Sequence, residues 1–179
     1  SIAHMNLKYA VLTSVNRDDL KDGGAEHFSE TIKSIKEKAP QVIIEALVPD
    51  FMGKTRSIET LMDSNLEVFA QNLETVKRLT KRVRDPRAGY EQTLNVLSYA
   101  KEYKPSIITK TSLMFGLGET EDEIRKSFLD IQDSGVDVLT LGQYMRPTIN
   151  HLPVTKWYSP QEFEYYKDLS LIHISEPTR

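Results

Sequence analysis

The chain has 179 residues, of which 39% are hydrophobic and 27% are charged, as expected for one globular domain of ordinary composition. Its formal net charge of −3 gives no electrostatic support for a nucleic-acid or membrane partner. No apolar run approaches the roughly 20 residues that cross a bilayer. The sequence contains no cysteine, which excludes disulfides, thiol nucleophiles and cysteine-ligated zinc or iron–sulfur sites within this chain.

Strand-like and helix-like segments alternate along the sequence. Near-continuous apolar runs predict strands, and apolar residues recurring every three or four positions predict helices. In chain order the pattern predicts a strand at 7–15, a helix at 25–39, a strand at 42–50, a helix at 57–64, a strand at 66–74, a helix at 90–103, a strand at 106–118, a helix after Thr120, a strand at 136–145 and a helix after Ser159.

Three of these helices carry recognisable start signals. Ser57 is predicted to cap the helix at 57–64. Thr120 with Glu123, and Ser159 with Glu162, each fit a capping box, in which the two residues satisfy each other's backbone N–H groups.

Strict alternation of strands and helices predicts a parallel α/β fold, either a barrel or a doubly wound sheet. The apolar strand runs predict burial on both faces of the sheet. In both architectures ligands bind at the carboxyl ends of the strands, so the residues that follow each strand are the first candidates for a site.

The two ends of the chain interrupt this pattern. Residues 169–179, "LSLIHISEPTR", resemble a read-through translation of a sequencing-library adapter, so we assign residues 1–168 to the fold and predict a non-native tail at 169–179. The first residues read as the end of a helix that leads directly into a strand. We therefore expect an internal fragment of a longer protein.

Polar side chains cluster at the predicted strand ends. Thr13 and Ser14 close the first strand, and Asn72 and Glu74 lie two positions apart, where strand geometry points both to one face. Lys110 lies inside an apolar strand, which is costly unless the ammonium is paired or borders a cavity. The histidines have no metal-ligand spacing. From the residues alone, a ligand-binding rim and a set of charged surface loops both remain open.

Several blocks together resemble one family. They are "LKYAVLTSVNRDDLKDGGAEHF", "VPDFMG", "QNLETV…RVRDPRAGYEQTLNVL", "TKTSLMFGLGETEDE" and "VLTLGQYMRPTINHLPVTKWYSPQEF". In order and spacing they resemble the lipoyl synthases of the radical S-adenosylmethionine (SAM) superfamily. The resemblance implies a partial, TIM-like (β/α)6 barrel, truncated here to five parallel strands that correspond to strands two to six.

The resemblance also implies a reaction and its cofactors. Lipoyl synthases insert two sulfur atoms, at C6 and C8, into an octanoyl group carried by a glycine cleavage H protein or a 2-oxoacid dehydrogenase E2 subunit. They use SAM and two [4Fe–4S] clusters, whose cysteine ligands this chain lacks. We therefore assign no catalytic residue and no metal ligand in this chain, and we expect an inactive fragment of a parent enzyme in the bacterial cytoplasm or the mitochondrial matrix.

Site residues follow from the resemblance motif by motif. Those implied to contact SAM are Thr13, Ser14, Asn72, Glu74, Arg84, Lys110, Ser112, Gly116, Gly118, Gln143 and Tyr144. Those implied to contact substrate are Arg17, Asp18 and Arg146.

Three other functions compete with this interpretation. Biotin synthase is similar in its "NLxT" strand and "GLGE" turn, but the block "GQYMRPTINHLPV" favours lipoyl synthase. A cluster-free barrel such as an aldolase or epimerase would need a catalytic lysine or metal ligands on several strands, where only Lys110 stands out. The third alternative is a non-catalytic ligand-binding domain.

Overall fold

The computed structural model describes residues 2–175, which contain one parallel sheet. Its strands are β1 (Tyr9–Thr13), β2 (Ile43–Leu47), β3 (Val68–Ala70), β4 (Ile108–Phe115) and β5 (Val138–Gln143). They lie side by side in the order β1-β2-β3-β4-β5, and every neighbouring pair is parallel. The predicted α/β fold with five parallel strands is confirmed.

Helices connect the strands. They are α1 (Ala25–Lys38), α2 (Thr55–Met62), α3 (Thr80–Val83), α4 (Tyr90–Tyr103), α5 (Glu121–Asp133) and α6 (Pro160–Ser175). Both predicted capping boxes are present: the Thr120 N–H donates to Glu123 at 2.8 Å and the Ser159 N–H to Glu162 at 2.8 Å. The prediction for Ser57 is wrong, because α2 begins at Thr55 after an N-cap at Lys54, which leaves Ser57 buried inside the helix.

Burial on both faces holds for β3, whose three residues are all buried, but the prediction is wrong for β1, β4 and β5, which are more exposed on one face than on the other. Consecutive parallel strands joined by right-handed crossovers place their connecting helices on the same side. On that side Ile44, Ala46 and Phe69 are completely buried. The opposite face, called the open face below, presents Val11 and Ile108, which are 52% and 44% exposed.

Helix α6 crosses the boundary predicted at residue 168. It continues to Ser175, and Leu169 is buried in the core. The non-native origin of residues 169–179 stays a prediction, and residues 176–179 of that segment lie outside the described residues.

Candidate functional site

A cavity of about 180 Å³ lies at the carboxyl ends of β1, β2 and β3. Its polar lining comes from the residues that follow each strand and from the end of α3, namely Thr13, Ser14, Asn16, Asp50, Gln71, Asn72, Glu74 and Arg84. The structure thus brings together five side chains that the family resemblance implies for SAM: Thr13, Ser14, Asn72, Glu74 and Arg84.

The segment after β3 is held rigidly beside β4. The Gln71 N–H donates to the Lys110 carbonyl at 3.0 Å, and the Glu74 N–H donates to the Ser112 carbonyl at 2.9 Å. Thr111 Oγ1 donates to the Gln71 carbonyl at 2.8 Å. Glu74 has a φ of 71°, a left-handed conformation that costs a non-glycine residue about 1 kcal/mol or more and that often marks functional positions.

Arg84 brings positive charge to the cavity. It follows α3, and its Nη1 donates to Thr93 Oγ1 at 2.8 Å. Burial lowers the pKa of Arg84 from its ordinary value, while the nearby charges of Glu74 and Asp50 act in the opposite direction. Within residues 2–175, no carboxylate lies close enough to form an ion pair with Arg84, so this half-buried guanidinium retains donors for another anion.

Asp50 is a cavity residue that sequence reasoning did not single out, although the end of the second strand was a candidate region. Its side chain is buried, and it accepts hydrogen bonds from the Met52 N–H at 3.0 Å and from Gln92 Nε2 at 2.5 Å. These contacts fix the turn at Phe51 and Met52, both of which have positive φ values. The signal in the sequence was an aspartate directly after a buried strand and a proline.

Lys110 and Ser112 lie on the open face of β4 instead. Lys110 Nζ pairs with both oxygens of Glu45, at 3.0 and 2.9 Å, and the Tyr9 hydroxyl donates to the same carboxylate at 2.5 Å. Burial, together with the hydrogen bond to Glu45, raises the pKa of Tyr9 to about 12. Lys110 is therefore paired, as the cost of its position requires, and Ser112 follows two positions later on the same face.

The backbone N–H groups of the Gly116-Leu117-Gly118 turn bind the side-chain carboxylate of Glu119. Glu119 accepts from the Gly116 N–H at 2.6 Å, from the Leu117 N–H at 2.9 Å and from the Tyr158 hydroxyl at 2.9 Å. The backbone N–H groups that an anionic ligand would take in such a turn are already used.

Gln143, the last residue of β5, and Tyr144, which follows it, hydrogen-bond to backbone groups of the chain. Gln143 Nε2 donates to the carbonyls of Phe115, Tyr144 and Lys156 at 3.1–3.2 Å, and its Oε1 accepts from the Tyr158 N–H at 2.9 Å. The Tyr144 hydroxyl donates to the Leu152 carbonyl at 3.0 Å. Neither residue lines the cavity.

The residues implied for substrate also lie outside the cavity lining. Arg17 pairs with Asp19 at 2.7 Å, and Asp18 pairs with Arg87 at 2.6 Å. Arg146 donates to the carbonyls of Ile149 and His151 in its own loop.

The described residues provide no obvious metal centre. Across residues 2–175, no three or more His, Asp or Glu side chains form a group that could hold a metal ion, and the whole chain has no cysteine. None of the described helices is long and apolar enough to cross a membrane.

The chain matches one protein-family model and is similar to curated proteins. The model for the radical SAM superfamily matches residues 1–131. The chain is 60% identical to the lipoyl synthase of Thermus thermophilus, over 93% of this chain and 52% of that protein. It is 59% identical to the lipoyl synthase of Ectopseudomonas mendocina, over 96% and 49%. The chain therefore spans about half the length of the curated relatives it matches.

A solved structure has a similar fold. The FeFe-hydrogenase maturase HydG from Carboxydothermus hydrogenoformans aligns with a TM-score of 0.73, over 97% of this chain and 41% of that chain. Sequence identity is 17%, so this likeness concerns the fold alone.

Proposed function

The chain belongs to the radical SAM superfamily, and from that premise we propose that the whole protein of which it is a part is a lipoyl synthase. Such an enzyme is a sulfurtransferase that inserts two sulfur atoms, at C6 and C8, into a protein-bound octanoyl group. Identities of 59–60% to curated lipoyl synthases support this choice over a biotin synthase or a cluster-free barrel. The observation that carries the proposal is the polar cavity at the carboxyl ends of β1 to β3.

The charges of the cavity fit SAM. SAM carries a carboxylate, an ammonium group and a sulfonium, and the cavity offers one guanidinium and the carboxylates of Glu74 and Asp50. Arg84 would bind the carboxylate, because no carboxylate of the described residues forms an ion pair with it. Thr13, Ser14 and Asn72 add neutral groups for the ammonium and the hydroxyls. When bound, SAM would supply the chemistry that abstracts hydrogen from an unactivated carbon once an iron–sulfur cluster of the whole protein delivers one electron to it, and the residues of this chain would hold SAM in position.

The size of the cavity agrees with an incomplete site. Small-molecule sites usually enclose about 300–1,000 Å³, against about 180 Å³ here. Iron–sulfur clusters do not fit the residues present, because the chain has no cysteine. We place the ligands of two [4Fe–4S] clusters in parts of the whole protein outside this chain, and we propose that the chain alone is inactive.

The partner in this proposal is an octanoylated carrier, such as a glycine cleavage H protein or a 2-oxoacid dehydrogenase E2 subunit. The enzyme would act in the bacterial cytoplasm or the mitochondrial matrix. No nucleic-acid or membrane partner is proposed, in keeping with the net charge of −3.

The test is conversion of an octanoylated carrier by the whole protein, reconstituted anaerobically and supplied with SAM and a reductant. Mass spectrometry should show an octanoyl group that gains two sulfur atoms, and dethiobiotin, the control substrate, should remain unchanged. Conversion of dethiobiotin alone, or of neither substrate, would contradict the proposal. For the 179-residue chain itself, a stoichiometric [4Fe–4S] iron content after reconstitution would refute its proposed inactivity.

A further inference from the structure

Thr93 lies in the first turn of α4 and is completely buried. It is not among the residues that line the cavity at the carboxyl ends of β1 to β3. Its hydroxyl nevertheless accepts a hydrogen bond from Arg84 Nη1 at 2.8 Å. Because Arg84 does line the cavity, Thr93 is connected to the cavity through the guanidinium.

The hydroxyl of Thr93 has a different partner from the hydroxyls of two other helical threonines. Thr31 in α1 and Thr60 in α2 each donate to the backbone carbonyl four residues earlier, at 2.7 and 2.9 Å. Such bonds to the preceding turn are common for threonine in a helix. Within the described chain, the hydroxyl of Thr93 is instead paired with a side chain that lies outside its own helix.

A neutral support suits a guanidinium that must bind an anion. An arginine side chain has several rotatable bonds, and ordering it on binding costs conformational entropy that a preformed contact removes. Arg84 forms no ion pair among residues 2–175, and its contact with Thr93 uses one of the five N–H groups of a guanidinium. A carboxylate at the position of Thr93 would neutralise the charge, whereas a hydroxyl holds the guanidinium and leaves its charge for the ligand.

We infer that Thr93 is a positioning residue, whose hydroxyl orients the Arg84 guanidinium toward the carboxylate of the ligand in this cavity. The inference rests on the proposed function, which identifies the ligand as SAM and assigns its carboxylate to Arg84. Thr93 itself needs no contact with SAM, so its whole effect on binding passes through Arg84.

Two substitutions at Thr93 separate the hydroxyl from the volume of the side chain. Thr93→Val nearly conserves shape and removes the hydrogen-bond acceptor, whereas Thr93→Ser keeps the hydroxyl. Thr109 gives a matched control, because it is also completely buried and its hydroxyl bonds to Asp137 at 3.0 Å. It lies at the amino end of β4 and does not line the cavity, so Thr109→Val removes a buried hydroxyl without touching Arg84.

The experiment measures equilibrium binding of SAM to the whole protein with reconstituted clusters, together with thermal unfolding without SAM. We expect Thr93→Val to raise the Kd about tenfold, because it removes a hydrogen bond that holds a charged group. Thr93→Ser and Thr109→Val should each stay within about twofold of the parent, even though loss of a buried hydrogen bond in Thr109→Val lowers the thermal midpoint.

A double-mutant cycle shows whether the effect passes through Arg84. In the Arg84→Leu background, Thr93→Val should change the Kd by less than about twofold, because the group that Thr93 positions is already absent. If Thr93→Val weakens binding as much in this background as in the parent, its effect does not pass through Arg84 and the inference is wrong.

Unchanged SAM binding in Thr93→Val, with binding weakened in Arg84→Leu, would overturn the inference and leave the proposed function intact. Equal weakening by Thr109→Val, or no recovery in Thr93→Ser, would also overturn it, because the effect would then come from the fold. If the parent protein does not bind SAM, or if Arg84→Leu binds it as tightly as the parent, the proposed function fails and the inference fails with it.

Discussion

Gly116→Ala separates a packing role for the glycine turn from a ligand-binding role. Gly116 has a φ of +108°, and a Cβ at this position would lie 2.6 Å from the backbone oxygen of Lys156 and 2.4 Å from Gln143 Nε2. The side-chain amide can move, but the Lys156 carbonyl belongs to a backbone segment fixed by Gln143. The variant must therefore shift that segment or break its hydrogen bonds.

The expected cost follows from two contributions. A non-glycine residue in a sparsely populated positive-φ region costs about 1–3 kcal/mol, and overpacking adds about 1–3 kcal/mol. Gly116→Ala should therefore lose roughly 2–6 kcal/mol of unfolding free energy, a large part of the about 5–15 kcal/mol typical of a domain.

Two other glycines isolate these contributions. Gly53 has a φ of +70° and no heavy atom within 4 Å of an added Cβ, so Gly53→Ala should lose only about 1 kcal/mol. Gly142 lies in β5 with no positive φ and the same free space, so Gly142→Ala should be neutral or stabilising by about 0.5 kcal/mol. Urea unfolding of the chain, followed by circular dichroism, measures all three. A Gly116→Ala variant as stable as Gly53→Ala would show that the added Cβ does not clash with the Lys156 carbonyl.

Three further predictions test the charged residues. Lys110→Met should lower the unfolding free energy by roughly 2–4 kcal/mol, because it removes the ammonium partner of the buried Glu45 carboxylate. A loss below about 1 kcal/mol in urea unfolding would contradict this prediction. Arg84→Leu should raise the Kd of the whole protein for SAM roughly 10- to 100-fold. Arg82 is exposed, so Arg82→Leu should leave the Kd within about twofold. Equal effects of the two variants in equilibrium dialysis would contradict binding of SAM in this cavity. Arg78, which lies just before α3, donates two hydrogen bonds to the Glu123 carboxylate at 2.6 and 2.9 Å. These bonds, together with those at the Thr120 helix cap, lower the pKa of Glu123 to about 2 from its ordinary 4.5. The stability that these bonds contribute is complete above about pH 4.5 and is lost as the pH falls toward about 2. In Glu123→Gln the unfolding free energy should therefore depend less steeply on pH between about 2 and 4.5. An unchanged pH dependence in urea unfolding would contradict the role assigned to Glu123.

The order of elements was predictable because each element has its own periodicity in the sequence. Helix α4 has the same bounds, 90–103, as the sequence predicts. The strand predicted at 66–74 is in fact three residues long, because the left-handed Glu74 turns the chain and residues 71–74 bond to β4 as a loop. Helix α3 was not predicted, since its four residues contain only one large apolar side chain.

The candidate site was predictable only where a simple rule applied. Residues at the carboxyl ends of parallel strands meet at one edge of the sheet, and this rule, with the family resemblance, selects Thr13, Ser14, Asn72 and Glu74. The partner of Lys110 is 65 positions away in sequence, so no local pattern identifies Glu45. The hydrogen bond from Arg84 to Thr93 is likewise visible only once both side chains have been located in space.

We propose that the cavity between Thr13, Asn72 and Arg84 binds SAM. A crystal structure of the whole protein, grown anaerobically with SAM, tests it most directly. We expect ligand density in this cavity, with the SAM carboxylate on Arg84. Density for SAM at the Gly116–Gly118 turn, with the cavity filled only by solvent, would contradict it.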